Sequence, residues 1–292
     1  MTGTAAARAR GLEFWTQAAP GWIRHADHQD EFGRPLGAAA MTWLRPAPGE
    51  RVLDVGCGVG GTTAELAARV APGGEAVGID LAQPMVDAAR TRFATVANLR
   101  FEVCDIEMVD AVPGAPFDAV FSRMALMLPA DPVAGCAGIL RCLRPGGRLA
   151  ATVFRDSAAN PWLAAALLGA AAHVGPLPAL PVGDDPGPFA FADAARPLRI
   201  LATAGFEQIS VQARDVTLPA PEDPAAVAES LIEVGPAGAA YRAASADERA
   251  RARRGAARLL ERFREPGTGY RFPAGIWLIT ATRPISSAAG DI

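Results

Sequence analysis

The chain has 292 residues, 50 % of them hydrophobic and 20 % charged, enough to bury a full core in one large domain or in a domain with a substantial insertion. Its formal net charge of -3 offers no surplus of cations to replace counterions on a phosphate backbone, which argues against nucleic acid as a partner. All 28 basic residues are arginine, and the absence of lysine removes a P-loop, a Schiff-base nucleophile and a lysine-assisted tyrosine acid together.

The first residues, MTGTAAARAR, carry positive charge without a continuous apolar stretch after them, so no signal peptide is expected and the cytoplasm is the default compartment. Residues 11–44 set Trp15, Trp22, Ile23, Phe32, Leu36 and Met41 at loosely helical spacing, predicting a helical N-terminal arm that stops at Arg45-Pro46-Ala47-Pro48-Gly49. A short apolar strand at 51–55 then runs into glycines, and Thr62 or Thr63 opens a helix over 62–70. The pattern repeats: a strand at 76–79 ending in Asp80, a helix at 84–93, and a strand at 99–103 before Asp105. It continues with a strand at 117–121, a helix at 132–143, a turn at Arg144-Pro145-Gly146-Gly147 and a strand at 148–154. Strands alternating with helices predict right-handed βαβ units and a doubly wound, mostly parallel sheet.

After residue 155 the rhythm breaks. An apolar helix at 162–174, too short to span a bilayer, precedes a Pro/Gly-rich loop at 175–188. A helix end at 200–204 closed by Gly205, an alternating strand at 206–218, a helical region at 224–264 and a last strand at 275–282 complete the chain. Four segments are expected: arm, 1–45; Rossmann-like core, 46–155; helical and loop insertion, 156–204; and the remainder of the core sheet with a helical insertion, 205–292.

Cys57, Cys104, Cys136 and Cys142 lack C-x-x-C spacing, so neither a metal site nor a disulfide framework is indicated, and they read as small apolar residues of a reducing compartment. The chemistry concentrates at Leu53-Asp54-Val55-Gly56-Cys57-Gly58-Val59-Gly60-Gly61. Gly56, Gly58 and Gly61 fit the dinucleotide pattern G-x-G-x-x-G, and Asp80 stands where a ribose-binding acid belongs. Small residues let a ligand approach the backbone, while the following helix N-terminus offers N–H groups to an anionic group. Asp54 breaks the tie between cofactors: a carboxylate beside a pyrophosphate is repelled, whereas a ligand bearing an ammonium and a sulfonium is attracted.

The run Val52 to Gly60, then Gly78-Ile79-Asp80-Leu81 with Met85, Cys104-Asp105-Ile106, Phe117-Asp118-Ala119-Val120-Phe121-Ser122-Arg123, and Leu143 to Leu149 follow one another in an order that resembles the class I S-adenosylmethionine-dependent methyltransferases, in particular the bacterial ubiquinone/menaquinone-biosynthesis-like small-molecule group. The resemblance implies a Rossmann-like, seven-stranded sheet with an antiparallel last strand, a helical arm and a lid insertion. It implies S-adenosyl-L-methionine as cofactor and S-adenosyl-L-homocysteine as product. Asp54, Gly56, Cys57, Gly58 and Gly60 would hold the methionine part; Asp80 would accept the ribose hydroxyls; Leu81 or Met85 would pack on adenine; Asp105 and the Ile106 N–H would meet its edge. Ser122 and Arg123 would flank the reactive methyl, with Trp22 of the arm folding over the cofactor.

The reaction then expected is in-line methyl transfer to an oxygen, nitrogen or carbon of a small, hydrophobic or aromatic acceptor, as in secondary metabolism, by a monomer or homodimer away from membranes. His25 in the arm and His173 at the end of the insertion helix are the candidate general bases, against the blander reading of surface or core histidines. Two alternatives remain: a non-methylating protein of this fold that keeps the ligand, such as a cyclase or regulatory module, and a nicotinamide-dependent dehydrogenase. The arginine-rich run at 247–264 reads as a solvated helix face.

Overall fold

The computed structural model describes residues 3–285; Met1, Thr2 and 286–292, the outermost parts of the first and last expected segments, lie outside that range. The arm folds as two helices, α1 (Gly3–Arg24) and α2 (Ala26–Leu44). They part at His25, whose backbone leaves the helical region at φ -101 and ψ 18. α2 stops where Arg45 turns left-handed at φ 46 and donates its N–H to the Met41 carbonyl, just before the proline-rich breaker.

The core runs β1 (Arg51–Val55), α3 (Gly61–Val70), β2 (Glu75–Asp80), α4 (Gln83–Arg92), β3 (Leu99–Val103), β4 (Phe117–Arg123), α5 (Pro132–Cys142) and β5 (Leu143–Phe154). Then follow α6 (Pro161–Ala171), α7 (Ala195–Thr203), β6 (Glu207–Ala220), α8 (Pro224–Val234), α9 (Gly238–Ala243), α10 (Ala246–Leu260), β7 (Arg264–Glu265) and β8 (Gly269–Thr282). The sheet order is β3-β2-β1-β4-β5-β8-β6, with the two-residue β7 pairing β8 as an eighth strand beyond the seven expected. β1 to β5 pair in parallel, and β8 runs antiparallel to both β5 and β6. Strand order reverses between β1 and β4, which opens a crevice at the carboxyl ends of those strands.

Both faces of the sheet are covered. On one, Ala40, Met41 and Leu44 of α2 and Leu66 of α3 pack with Val52, Phe121 and Leu278. On the other, Ile139 and Cys142 of α5 join Val77, Val120 and Leu149, in a cluster that continues into the insertion through Trp162 and Phe272. Such two-sided burial explains why β1 and β2 are buried at consecutive positions and not at alternate ones.

Two boundaries differ from the sequence reading. The expected turn at 144–147 is drawn into β5, because the Gly146 N–H bonds to the Arg283 carbonyl and the Arg283 N–H to the Gly147 carbonyl. β8 starts at Gly269 instead of Gly275, because β6 pairs with it as far as Ala220 opposite Tyr270. β5 ends at Phe154 opposite Ile276, so the β6–β8 ribbon overshoots the carboxyl ends of the parallel strands. α6, α8 and α10 pack around this overshoot, with Gly169 and Gly255 letting the α6 and α10 backbones touch. Among the described residues no helix is long and apolar enough to cross a membrane.

Candidate functional site

Three loop glycines take left-handed conformations, Gly56 at φ 74, Gly58 at φ 53 and Gly60 at φ 89, which side chains adopt only with strain. The loop is stitched to the end of β2. Gly56 and Cys57 both donate N–H groups to the Ile79 carbonyl at 2.9 and 3.0 Å, Gly58 donates to Asp80 Oδ2 at 2.9 Å, and Gly60 donates to the Cys57 carbonyl at 3.0 Å. Those N–H groups are therefore spent within the scaffold, and the donors left for an anionic ligand are in the first turn of α3. A Cβ at Gly60 would strike the Phe101 ring at 2.7 Å, while one at Gly58 would meet nothing within 4 Å, so the open side of the loop lies over Gly58.

Asp54 points to the α2–α3 face and is only 1 % exposed. Its Oδ2 accepts the Thr63 hydroxyl at 2.8 Å. Burial pushes its carboxyl up to about 7, against the opposing pull of the Thr63 hydrogen bond and the Arg123 charge. Asp80 accepts from the Gly58 and Ala82 N–H groups, both at 2.9 Å, and burial likewise raises its carboxyl despite those bonds. Arg123 lies along the glycine side of α2, its guanidinium against Gly33. Among the described residues it makes no ion pair, and the acids whose charges it faces are Asp30, Asp54 and Glu65. The Asp30 carboxylate itself abuts Gly61 at the start of α3 and receives Arg92 at 2.8 Å.

The arm covers the other end of this crevice. Trp15 and Trp22 pack with Val59, Ala82 and Met85, and the Trp22 N–H reaches the Val234 carbonyl at 3.1 Å. Leu81 borders this group at partial exposure. Further along α1, Arg8 pairs with Asp105 at 3.2 Å and with Glu107 at 3.1 Å. Ile106 is buried, its carbonyl against Gly138 of α5.

Asp54, Gly58, Asp80 and Arg123 thus gather at the ends of β1, β2 and β4, with Asp105 one strand further. Ser122 does not face the crevice: its hydroxyl is fully buried and donates to the Val55 carbonyl at 2.9 Å, tying β4 to β1. The Cys57 side chain packs among Val86, Ala89 and Phe101, where burial pushes the thiol well above its ordinary range. The two histidines also stand elsewhere. His25 Nε2 is 2.8 Å from the buried Glu233 of α8, which also receives Arg24 at 2.6 Å, and His173 sits beside Gly255 of α10. His25 borders a cleft of about 680 Å³ between the arm and α4, whose lining includes Arg24, Asp87 and Arg92 but none of the glycine-loop residues.

Sequence reasoning missed Arg8, Asp30, Thr63 and Glu233 as members of this neighbourhood. Thr63 had a signal, since a hydroxyl two residues into α3 faces back toward β1. The others meet their partners only through long-range packing of the arm.

A methyltransferase-domain family model matches residues 52–147. Among curated proteins, the chain is 35 % identical over 219 residues to nocamycin O-methyltransferase of Saccharothrix syringae, covering 69 % of this chain and 73 % of that one. It is also 35 % identical over 126 residues to the S-adenosyl-L-methionine-dependent Diels-Alderase iccD of Talaromyces variabilis, spanning 41 % of this chain and 42 % of that relative's length. Among solved structures, the cyclase SpnF superposes with a TM-score of 0.52 at 23 % identity, covering 86 % of this chain and 81 % of the other, a likeness of fold.

Proposed function

The chain belongs to the class I S-adenosylmethionine-dependent methyltransferases, and from that premise we propose that it methylates an oxygen, nitrogen or carbon of a small hydrophobic or aromatic metabolite. The observation that carries the assignment of the site is the pairing of a buried, desolvated carboxylate, Asp54, with an open glycine face at Gly58 beside Asp80. This donor set suits a cationic amino-acid sulfonium carrying a ribose. The cofactor, when bound, supplies a methyl on a positively charged sulfur.

In this reading Asp54 receives the ammonium, and Arg123 with the first turn of α3 faces the carboxylate. Asp80 accepts the ribose hydroxyls while keeping the loop in place through Gly58. Asp105 turns from Arg8 to the adenine edge, with the Ile106 N–H beside it, and Leu81, Met85 and Trp22 bound the ring. Gly56, Cys57 and Gly60 contribute by shaping the loop, and Ser122 by fixing β4 against β1. The arm (1–45) and the insertion (156–204) close the acceptor side over the core (46–155). Displacement at a sulfonium disperses charge, so alignment and water exclusion carry most of the rate, and these residues provide both.

Where the acceptor must lose a proton, we keep His173 as the candidate base, His25 being committed to Glu233; it would act from the insertion side, beside Gly255 of α10, and not from the glycine loop. His173→Ala then lowers turnover without changing cofactor affinity; unaltered turnover would remove the role. A second reading, a ligand-retaining cyclase, is favoured by the kinship to the Diels-Alderase. Incubation with methyl-labelled S-adenosylmethionine and an acceptor panel separates the two: labelled product supports transfer, and a bound cofactor that never yields label supports the cyclase.

A further inference from the structure

Where α2, the end of β5, α6 and β8 meet, five aromatic side chains converge. Trp162 lies 5.5 Å from Phe32, 6.1 Å from Phe154 and 5.9 Å from Phe272, and Tyr270 stacks on Phe272 at 5.5 Å. Trp162 is 4 % exposed and Tyr270 1 %. Neither the Trp162 indole N–H nor the Tyr270 hydroxyl has a hydrogen-bond partner among the described residues. Burying a donor without a partner is penalised, and at Tyr270 phenylalanine would fill the same space without that penalty. By contrast the Trp22 and Trp277 N–H groups reach the Val234 and Ala192 carbonyls, each at 3.1 Å, and the Tyr241 hydroxyl donates to Glu229 at 2.8 Å, while single buried atoms of Arg8, Thr152, Asn160 and Arg264 share the lack of a hydrogen-bond partner among the described residues.

The place of these two aromatic donors is informative. Phe154 closes β5, two residues beyond Thr152, the register partner of Arg123 at the end of β4. The aromatic group therefore begins at the strand ends where the methyl is delivered, and it is built from the arm, the core and the insertion together.

We propose that Trp162 and Tyr270 recognise the methyl acceptor, a planar aromatic compound that enters between the arm and α6 and accepts their N–H and O–H bonds through carbonyl or hydroxyl oxygens. This rests on the methyltransferase reading, and it narrows the acceptor to oxygenated aromatic compounds. The indole is a donor alone, and burial raises the Tyr270 hydroxyl above its ordinary value, keeping its proton, so both groups are served by a carbonyl or hydroxyl oxygen of the acceptor. An oxygen-free ring of equal shape would leave them unpaired, which is the strongest form of discrimination a buried polar group offers.

The test uses the full chain saturated with S-adenosylhomocysteine, with alizarin, a dihydroxyanthraquinone, as probe and anthracene as its oxygen-free control. Expected are saturable alizarin binding, weaker anthracene binding, and a loss of about tenfold in alizarin affinity for both Trp162→Phe and Tyr270→Phe. The thermal midpoint of ligand-free Tyr270→Phe should equal or exceed that of the parent, since an unpaired hydroxyl has been removed, whereas Trp162→Phe also loses ring volume and is read by alizarin affinity. Variants that melt lower while binding alizarin undiminished would mean the two groups serve the fold, overturning the proposal. So would absence of alizarin binding; in that case retained S-adenosylhomocysteine binding leaves the cofactor reading standing, and its loss would count against that reading instead.

Discussion

At the residue scale the site is governed by how far each carboxylate is withdrawn from water. Asp54 is held near about 7 by burial, so the sign of its pH effect can be worked out. Between the ordinary carboxylate value of about 4 and about 7, the folded protein keeps a proton that the unfolded chain has lost. The stabilisation from this group is therefore full at acid pH and fades as pH rises through that window. The melting temperature of the ligand-free protein should fall from about pH 5 to about pH 7.5 more steeply than that of Asp54→Asn. Cofactor binding should have the opposite slope, because an arriving ammonium favours the ionised form. Calorimetry in buffers of different ionisation enthalpy should detect proton release for the parent and none for Asp54→Asn.

Asp80 is a second residue-scale case. Asp80→Ala removes the proposed partner of the ribose hydroxyls and also the anchor of the Gly58 N–H, and should weaken S-adenosylmethionine binding by about 2 kcal/mol. Unchanged affinity by titration would mean the ribose lies elsewhere. Asp54, Gly58 and Asp80 were legible in the sequence because strand ends and glycine spacing fix them locally. Ser122 was legible as a position but not as a role, since the Val55 carbonyl that claims its hydroxyl lies on a different strand. The same holds for Gly56 and Cys57, expected to hold the methionine part, whose N–H groups are taken by the Ile79 carbonyl of β2.

At the element scale the βαβ repeat was readable because each helix and strand carries its own period and cap, and the differences arose where a partner decides. β5 absorbed the expected turn through Arg283, and β8 gained its first residues from β6. The arm is the element whose function depends most on contacts that no local pattern encodes. α1 crosses from α4 to α8, and its Arg8 occupies Asp105, the group assigned to adenine. If Asp105 meets adenine as proposed, this partly exposed pair must open on cofactor entry, so Arg8→Ala should tighten S-adenosylmethionine binding by up to about fivefold and speed association, as read by stopped-flow fluorescence. Weaker binding in that variant would mean that Arg8 helps to hold the ligand.

At the scale of the whole molecule, the core carries the proposed cradle of the methyl donor, while the arm and the long β6–β8 ribbon with its helices pack beyond the carboxyl ends of the core strands. The family model stops at residue 147, before Trp162 and Tyr270, so family-level likeness speaks to the donor and not to the acceptor. The central claim is methyl transfer to an oxygenated aromatic acceptor, and the most direct measurement supplies methyl-labelled S-adenosylmethionine with alizarin and counts label in the extracted aromatic product against S-adenosylhomocysteine formed. The account predicts both in equal amounts, with the rate lost in Asp80→Ala at subsaturating cofactor. Cofactor that binds and stays intact, with no label reaching alizarin or related hydroxylated aromatics, would contradict it.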